Sequence, residues 1–172
     1  FDLPGAVQGF MPEDSPNVRG TVTVENVAGH SQHGSRSLAL HYARLAPGRY
    51  ARVGTPTFIP SKQVGDYFLK RGYALLASPT LHSGQTVVAA LAADGGNSAP
   101  VCANLYVTAY GHNDELYTVA GPQVELHRGQ EQTLTWRVPD TRGNPIAAIG
   151  VELQEHAGSH NGTRGYQGTV YL

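Results

Sequence analysis

Val101-Cys102-Ala103-Asn104-Leu105-Tyr106-Val107-Thr108-Ala109-Tyr110 decides the fold class. Ala103, Leu105 and Val107 fall on one face of an extended chain. Cys102, Tyr106, Thr108 and Tyr110 fall on the other, the period-two pattern of a strand that packs on one side only. The same reading works outward in both directions. Thr21–Glu25, Ser37–Ala43, Tyr73–Ala77 and Gln85–Ala93 precede this stretch as strand candidates. Glu115–Val119, Gln123–Leu126, Gln132–Val138, Ala147–Gln154 and Gly168–Leu172 follow it. No segment shows a helical period long enough to cross over between parallel strands. Nine or ten short strands without crossover helices predict an all-β, antiparallel two-sheet β-sandwich, and the strand number favours a jelly roll.

Composition agrees and narrows the partners. The 172 residues include 21 glycines and 11 prolines, spread along the chain as frequent turns require. Charged residues are 15% and the formal net charge is −1, so neither a polybasic grip on nucleic acid nor charge-driven disorder is expected. No apolar run approaches the ~20 residues of a membrane span. The length suits one domain over 1–172. Because the chain opens at Phe1 without a methionine and its last strand stops at Leu172, it reads as a module excised from a larger protein. Residues 44–72, broken by Pro47, Pro56 and Pro60, read as a long loop or insertion.

Catalytic signatures are missing. There is no nucleophile elbow, phosphate loop, dinucleotide fingerprint or zinc-protease motif. Cys102 is the only cysteine, which excludes an internal disulfide and reads as a partly packed, unreactive thiol. His30 with His33, and His156 with His160, lie in Gly/Ser loops and read as solvated histidines rather than metal ligands. Gly111-His112-Asn113-Asp114-Glu115 reads as a polar hairpin turn, and Asn161-Gly162-Thr163 as an exposed loop.

The aromatic residues carry more. Trp136 alternates with Leu134 and Val138 and is expected in the core. Tyr106 and Tyr110 share their face with Thr108, and tyrosines amid polar side chains suit sugars, whose C–H patches stack on rings while hydroxyls take hydrogen bonds. If the strands bearing Leu105/Val107 and Leu134/Trp136/Val138 share a sheet, Tyr106 and Tyr110 stand beside Thr135 and Arg137. His41, Glu152 and Gln154 would then join them from further strands. The expected ligand set is therefore His41, Tyr106, Tyr110, Arg137, Glu152 and Gln154.

Phe1-Asp2-Leu3-Pro4-Gly5 with Gln8-Gly9-Phe10, His33-Gly34-Ser35-Arg36-Ser37-Leu38-Ala39-Leu40 and the closing Gly168-Thr169-Val170-Tyr171-Leu172 resemble, in order, the galactose-binding-like jelly rolls that include many carbohydrate-binding modules. That resemblance implies a first strand at the N-terminus. It also implies one structural calcium ion, with Asp2 as a ligand near the His33–Ser37 loop.

Thr55–Pro60, Leu76–Leu81, Gly84–Val87, Leu134–Pro139 and Pro145–Glu152 together resemble the C-terminal accessory module of bacterial ADP-ribosylglycohydrolase-family proteins. The implied function is a non-catalytic module that holds a parent enzyme on a glycan, in a secreted or cell-surface bacterial setting. Its partners would be the glycan and the parent catalytic domain in the same chain. The alternatives are a purely structural module packed on that catalytic domain, and a β-sandwich glycoside hydrolase.

Overall fold

The computed structural model describes residues 2–13, 21–45, 48–58, 80–156 and 165–172. Within them the chain forms eleven strands and a single 3-10 turn at His112–Asp114. The strands are β1 (Met11–Pro12), β2 (Thr21–Ala28), β3 (Arg36–Leu45), β4 (Tyr50–Pro56), β5 (Thr86–Ala93) and β6 (Val101–Tyr110). After them come β7 (Leu116–Ala120), β8 (Val124–Leu126), β9 (Glu131–Arg137), β10 (Ile146–Glu155) and β11 (Tyr166–Tyr171).

Two antiparallel sheets result. Sheet A has the order β1-β4-β10-β6-β7, with β8 pairing β6 as well, and sheet B the order β2-β3-β11-β5-β9. Strands β7 and β8 share one edge of β6: β7 pairs Tyr106–Tyr110 and β8 pairs Val101–Ala103. The fold is the all-β, two-sheet sandwich that the alternation anticipated.

The core lies between the sheets. Sheet B contributes Leu38, Leu40, Leu91, Leu134 and Val170; sheet A contributes Val53, Val101, Leu105, Val151 and Leu153. Val107 joins Val138 and Ile146 in a smaller cluster. Ala103, Leu105 and Val107 are buried as their shared face implies, while Trp136, expected in the core, is half-buried. Trp136 lies over Gly121, where a Cβ would meet its ring at 2.9 Å, so glycine is what lets the indole settle there.

Two expectations are corrected. Residues 2–10 form turns rather than a first strand, and sheet A begins at Met11. The stretch read as a loop contains β4, which sits between β1 and β10. Ala51 and Val53 point into the core while Tyr50, Arg52 and Gly54 point away, an alternation carried by small residues and obscured by the surrounding prolines. The expected strand at Tyr73–Ala77 and the Asn161 triplet lie outside the described residues.

Candidate ligand-binding face

Register places three rows of side chains across the outer face of sheet A. Gly54, Gly150 and Tyr106 form one row, Arg52, Glu152 and Asn104 the next, and Tyr50, Gln154 and Cys102 the third. Side chains opposite one another in antiparallel strands share a face, so each row crosses β4, β10 and β6.

Arg52 is the centre of this face. Its Nε donates to Glu152 Oε2 at 2.6 Å, and its Nη1 lies 3.5 Å from Glu13 Oε1. The guanidinium also stands 4.3 Å from the Tyr50 ring centroid and 5.0 Å from that of Tyr106, within cation–π range of both. Burial opposes the charge on Arg52, but the Glu152 hydrogen bond and the two carboxylates outweigh it and hold its pKa above the ordinary arginine value. Gln154 donates from Nε2 to the other oxygen of Glu152, and Gln123 Nε2 donates to Gln154 Oε1 at 3.2 Å. Glu152, only 3% exposed, is thus engaged at both oxygens.

Tyr106 lies across the glycine row. A Cβ on Gly54 would meet its hydroxyl at 2.6 Å, and one on Gly150 would meet its Cε1 at 2.7 Å. Burial, followed by the negative charge of Glu13, pushes the phenol pKa well above its ordinary value. At the far end of β6, Tyr110 meets Phe58 edge to face with centroids 6.0 Å apart. Thr108 faces Thr118, and Leu116, opposite Tyr110, is 59% exposed. At the other end, Cys102 Sγ lies 3.9 Å from His156 Nδ1, which lies 3.3 Å from Glu125 Oε2. Burial and Glu125 push the Cys102 thiol pKa up, in keeping with an unreactive thiol.

The structure therefore gathers four of the six expected ligand residues, Tyr106, Tyr110, Glu152 and Gln154, on one face. Tyr106 and Tyr110 are 2% and 8% exposed, so they support this face from below rather than forming an open stacking surface. The other two lie across the sandwich. Arg137 is on β9 and His41 on β3, both in sheet B and both pointing outward. Arg137 Nε donates to Gly84 O at 3.2 Å; His41 Nδ1 is 2.9 Å from Thr169 Oγ1, and its Nε2 is 3.5 Å from Glu25. The expected juxtaposition of Arg137 with Tyr106 and Tyr110 is corrected, because alternation tells inside from outside but not which sheet a strand joins. Tyr50 and Arg52 were missed with β4; the signal was the Tyr50/Arg52/Gly54 alternation.

Asp2 acts as a loop anchor. Its Oδ1 accepts from the Ser35 backbone N–H at 2.8 Å and from Ser35 Oγ at 3.1 Å, and these bonds lower its pKa. Among the described residues no group of three or more His, Cys, Asp or Glu converges as metal ligands, and no helix is long and apolar enough to cross a membrane.

No family model matches the sequence, and no curated protein matches it. Solved structures do. One of the β-sandwich carbohydrate-binding modules studied for promiscuous specificity superposes with a TM-score of 0.63 at 13% identity. That match covers 97% of this chain, which spans 56% of that one. A second is the CBM22-2 xylan-binding domain of Paenibacillus barcinonensis Xyn10C, with a TM-score of 0.55 at 17% identity, covering 97% of this chain and 89% of that one. A third, a xylan-binding domain from CBM 22, gives 0.56 at 12% identity, covering 97% and 84%. At these identities the likeness shows the fold: the chain is built as a β-sandwich of the kind used by carbohydrate-binding modules.

Proposed function

We propose that the chain is a non-catalytic carbohydrate-binding module over 1–172 and that the glycan lies across the outer face of sheet A. The observation that carries this reading is Arg52, fixed by Glu152 and Glu13 between the rings of Tyr50 and Tyr106. A pre-braced polar centre beside the half-buried ring of Tyr50 binds a hydroxylated ring at little ordering cost. Tyr50, Gln154 and Gln123 offer the ring surface and amide groups, while Tyr106, Tyr110 and Glu152 hold them in place. Such a shallow face supports affinities in the micromolar-to-millimolar range, on the order of −4 to −8 kcal/mol.

Because the neighbours named above include xylan-binding domains, β-1,4-xylan is the first ligand to test. The module would hold a parent catalytic domain, of the ADP-ribosylglycohydrolase type or another, near its glycan by effective concentration. A secreted or cell-surface bacterial setting suits that role. A structural calcium ion at Asp2 is a separate part of the proposal. It would add backbone carbonyl and water oxygens to that carboxylate, and melts in calcium and in chelator would then differ.

Affinity electrophoresis through gels containing xylan or other neutral polysaccharides tests the binding. Retardation of the parent chain, lost in Tyr50→Ala and Gln154→Ala with melting nearly unchanged, is the expected result. A parent chain that no polysaccharide retards overturns the reading.

A further inference from the structure

Arg52 carries one positive charge and meets two carboxylates. Its Nε donates to Glu152 at 2.6 Å, and its Nη1 lies 3.5 Å from Glu13. One counter-ion would neutralise the guanidinium, so the second leaves this cluster with a negative charge in excess. The two carboxylates stand differently. The Glu152 side chain is 4% exposed, and both of its oxygens are engaged, one by Arg52 and one by Gln154. The Glu13 side chain is 31% exposed, against 13% for Arg52. Of the three charged groups, Glu13 is therefore the one that a molecule arriving on this face meets first.

The backbone fixes Glu13 in this place. β1 pairs Met11 with Gly54 and Pro12 with Val53, and the Glu13 N–H then donates to Arg52 O at 2.9 Å. By extension of that register Glu13 stands opposite Arg52 and becomes the fourth member of the row Arg52, Glu152 and Asn104. Its charge also acts on the Tyr106 phenol, which it helps to keep protonated. Holding the guanidinium does not by itself require this second acid, because Glu152 already binds Nε through a charge-assisted hydrogen bond.

We infer that Glu13 is a specificity-determining residue and that it makes this face select neutral glycans over glycans bearing carboxylates. The inference rests on the reading of sheet A as the glycan face. A carboxylate brought to Arg52 enters the field of two acids set around one guanidinium, and like charges at partly exposed positions cost several-fold in affinity. A neutral ring meets no such penalty. Its hydroxyls donate to Glu13 and accept from the amides of Gln154 and Gln123. Glu125, a further acid at the end of the face, lies 3.6 Å from His127 and 3.3 Å from His156. The comparison therefore belongs at about pH 8, above the ordinary imidazole range.

Calorimetric titration of the full chain with two soluble forms of β-1,4-xylan, hydroxyethylated and carboxymethylated to the same degree, tests this. At low salt the parent should bind the hydroxyethyl form about fivefold or more tightly than the carboxymethyl form, and the gap should narrow at about 0.5 M salt. Glu13→Gln keeps the shape of the side chain and an acceptor oxygen, and should bring the ratio of the two affinities near one. Glu131→Gln removes the same charge from the outer face of sheet B and should leave the ratio as in the parent. A ratio near one in the parent overturns the inference, as does a preference undiminished by salt, which needs no variant to read. So does a ratio unmoved by Glu13→Gln in a chain that melts like the parent, or an equal fall in Glu131→Gln. Binding of neither form by the parent overturns the glycan face itself, and this inference with it.

Discussion

The hydroxyl of Tyr106 occupies the space that a Gly54 side chain would need, 2.6 Å from an ideal Cβ. The phenol lies across the sheet only because β4 and β10 each place a glycine beneath it. Gly54→Ala should therefore destabilise the fold by about 1–3 kcal/mol through overpacking and lift Tyr106 from its place. Gly150→Ala is more severe, because its Cβ would meet Val53 O at 2.1 Å, a backbone atom that cannot turn aside. Gly95→Ala, with nothing within 4 Å, is the neutral control. Urea titrations should rank the losses with Gly150→Ala largest, Gly54→Ala next and Gly95→Ala near zero.

Arg52 and Glu152 form a buried pair, with side chains 13% and 4% exposed. Removing Arg52 leaves the buried Glu152 charge uncompensated, so Arg52→Met alone should cost about 3–5 kcal/mol, whereas Glu152→Leu leaves Arg52 its contact with Glu13 and should cost less. The double variant should recover much of that loss, because two apolar side chains avoid the desolvation of both ions. A double-mutant cycle by chemical denaturation measures the coupling; additive losses would show that the pair is not an energetic unit.

Asp2 makes stability depend on acid. Its folded pKa lies below the ordinary 3.8 because Ser35 donates to the charged form. The stabilisation is present in full above about 3.8 and is lost as pH falls through the lower folded value. Asp94, lowered by the Gly96 N–H and the Tyr171 hydroxyl, adds to the same trend. Asp2→Asn should flatten the fall in melting temperature across that acid window and leave behaviour near neutrality free of any new pH dependence.

Trp136 is half-buried against Gly121 and the core. Trp136→Ala should cost about 3 kcal/mol, the low end for loss of a large aromatic side chain. An unchanged denaturation midpoint would mean that the indole contributes nothing to packing.

Period-two alternation carried most of the fold. Leu105 and Val107 against Tyr106 and Tyr110 gave both the strand and its buried side. The same signal failed at β4, where Ala51 and Gly54 make a weak contrast and Pro47 and Pro56 suggest a loop. Alternation also could not assign strands to sheets. Arg137 and Tyr106 both point outward, yet β9 joins β5 and β6 joins β10, so they emerge on opposite sides of the molecule. Half of the ligand face was therefore readable, and its central Arg52 was not, because sheet membership depends on long-range pairing that no local pattern encodes.

Cys102 lies on the outer face of sheet A where β6 pairs with β8, in register with Glu125, as the chain's only thiol. A thiol must be exposed and ionised before it is alkylated, and here both conditions wait on Glu125 of β8 and His156 moving away from it. Its labelling rate is thus a built-in clock for the opening of one chosen seam, read by mass alone and without any introduced probe.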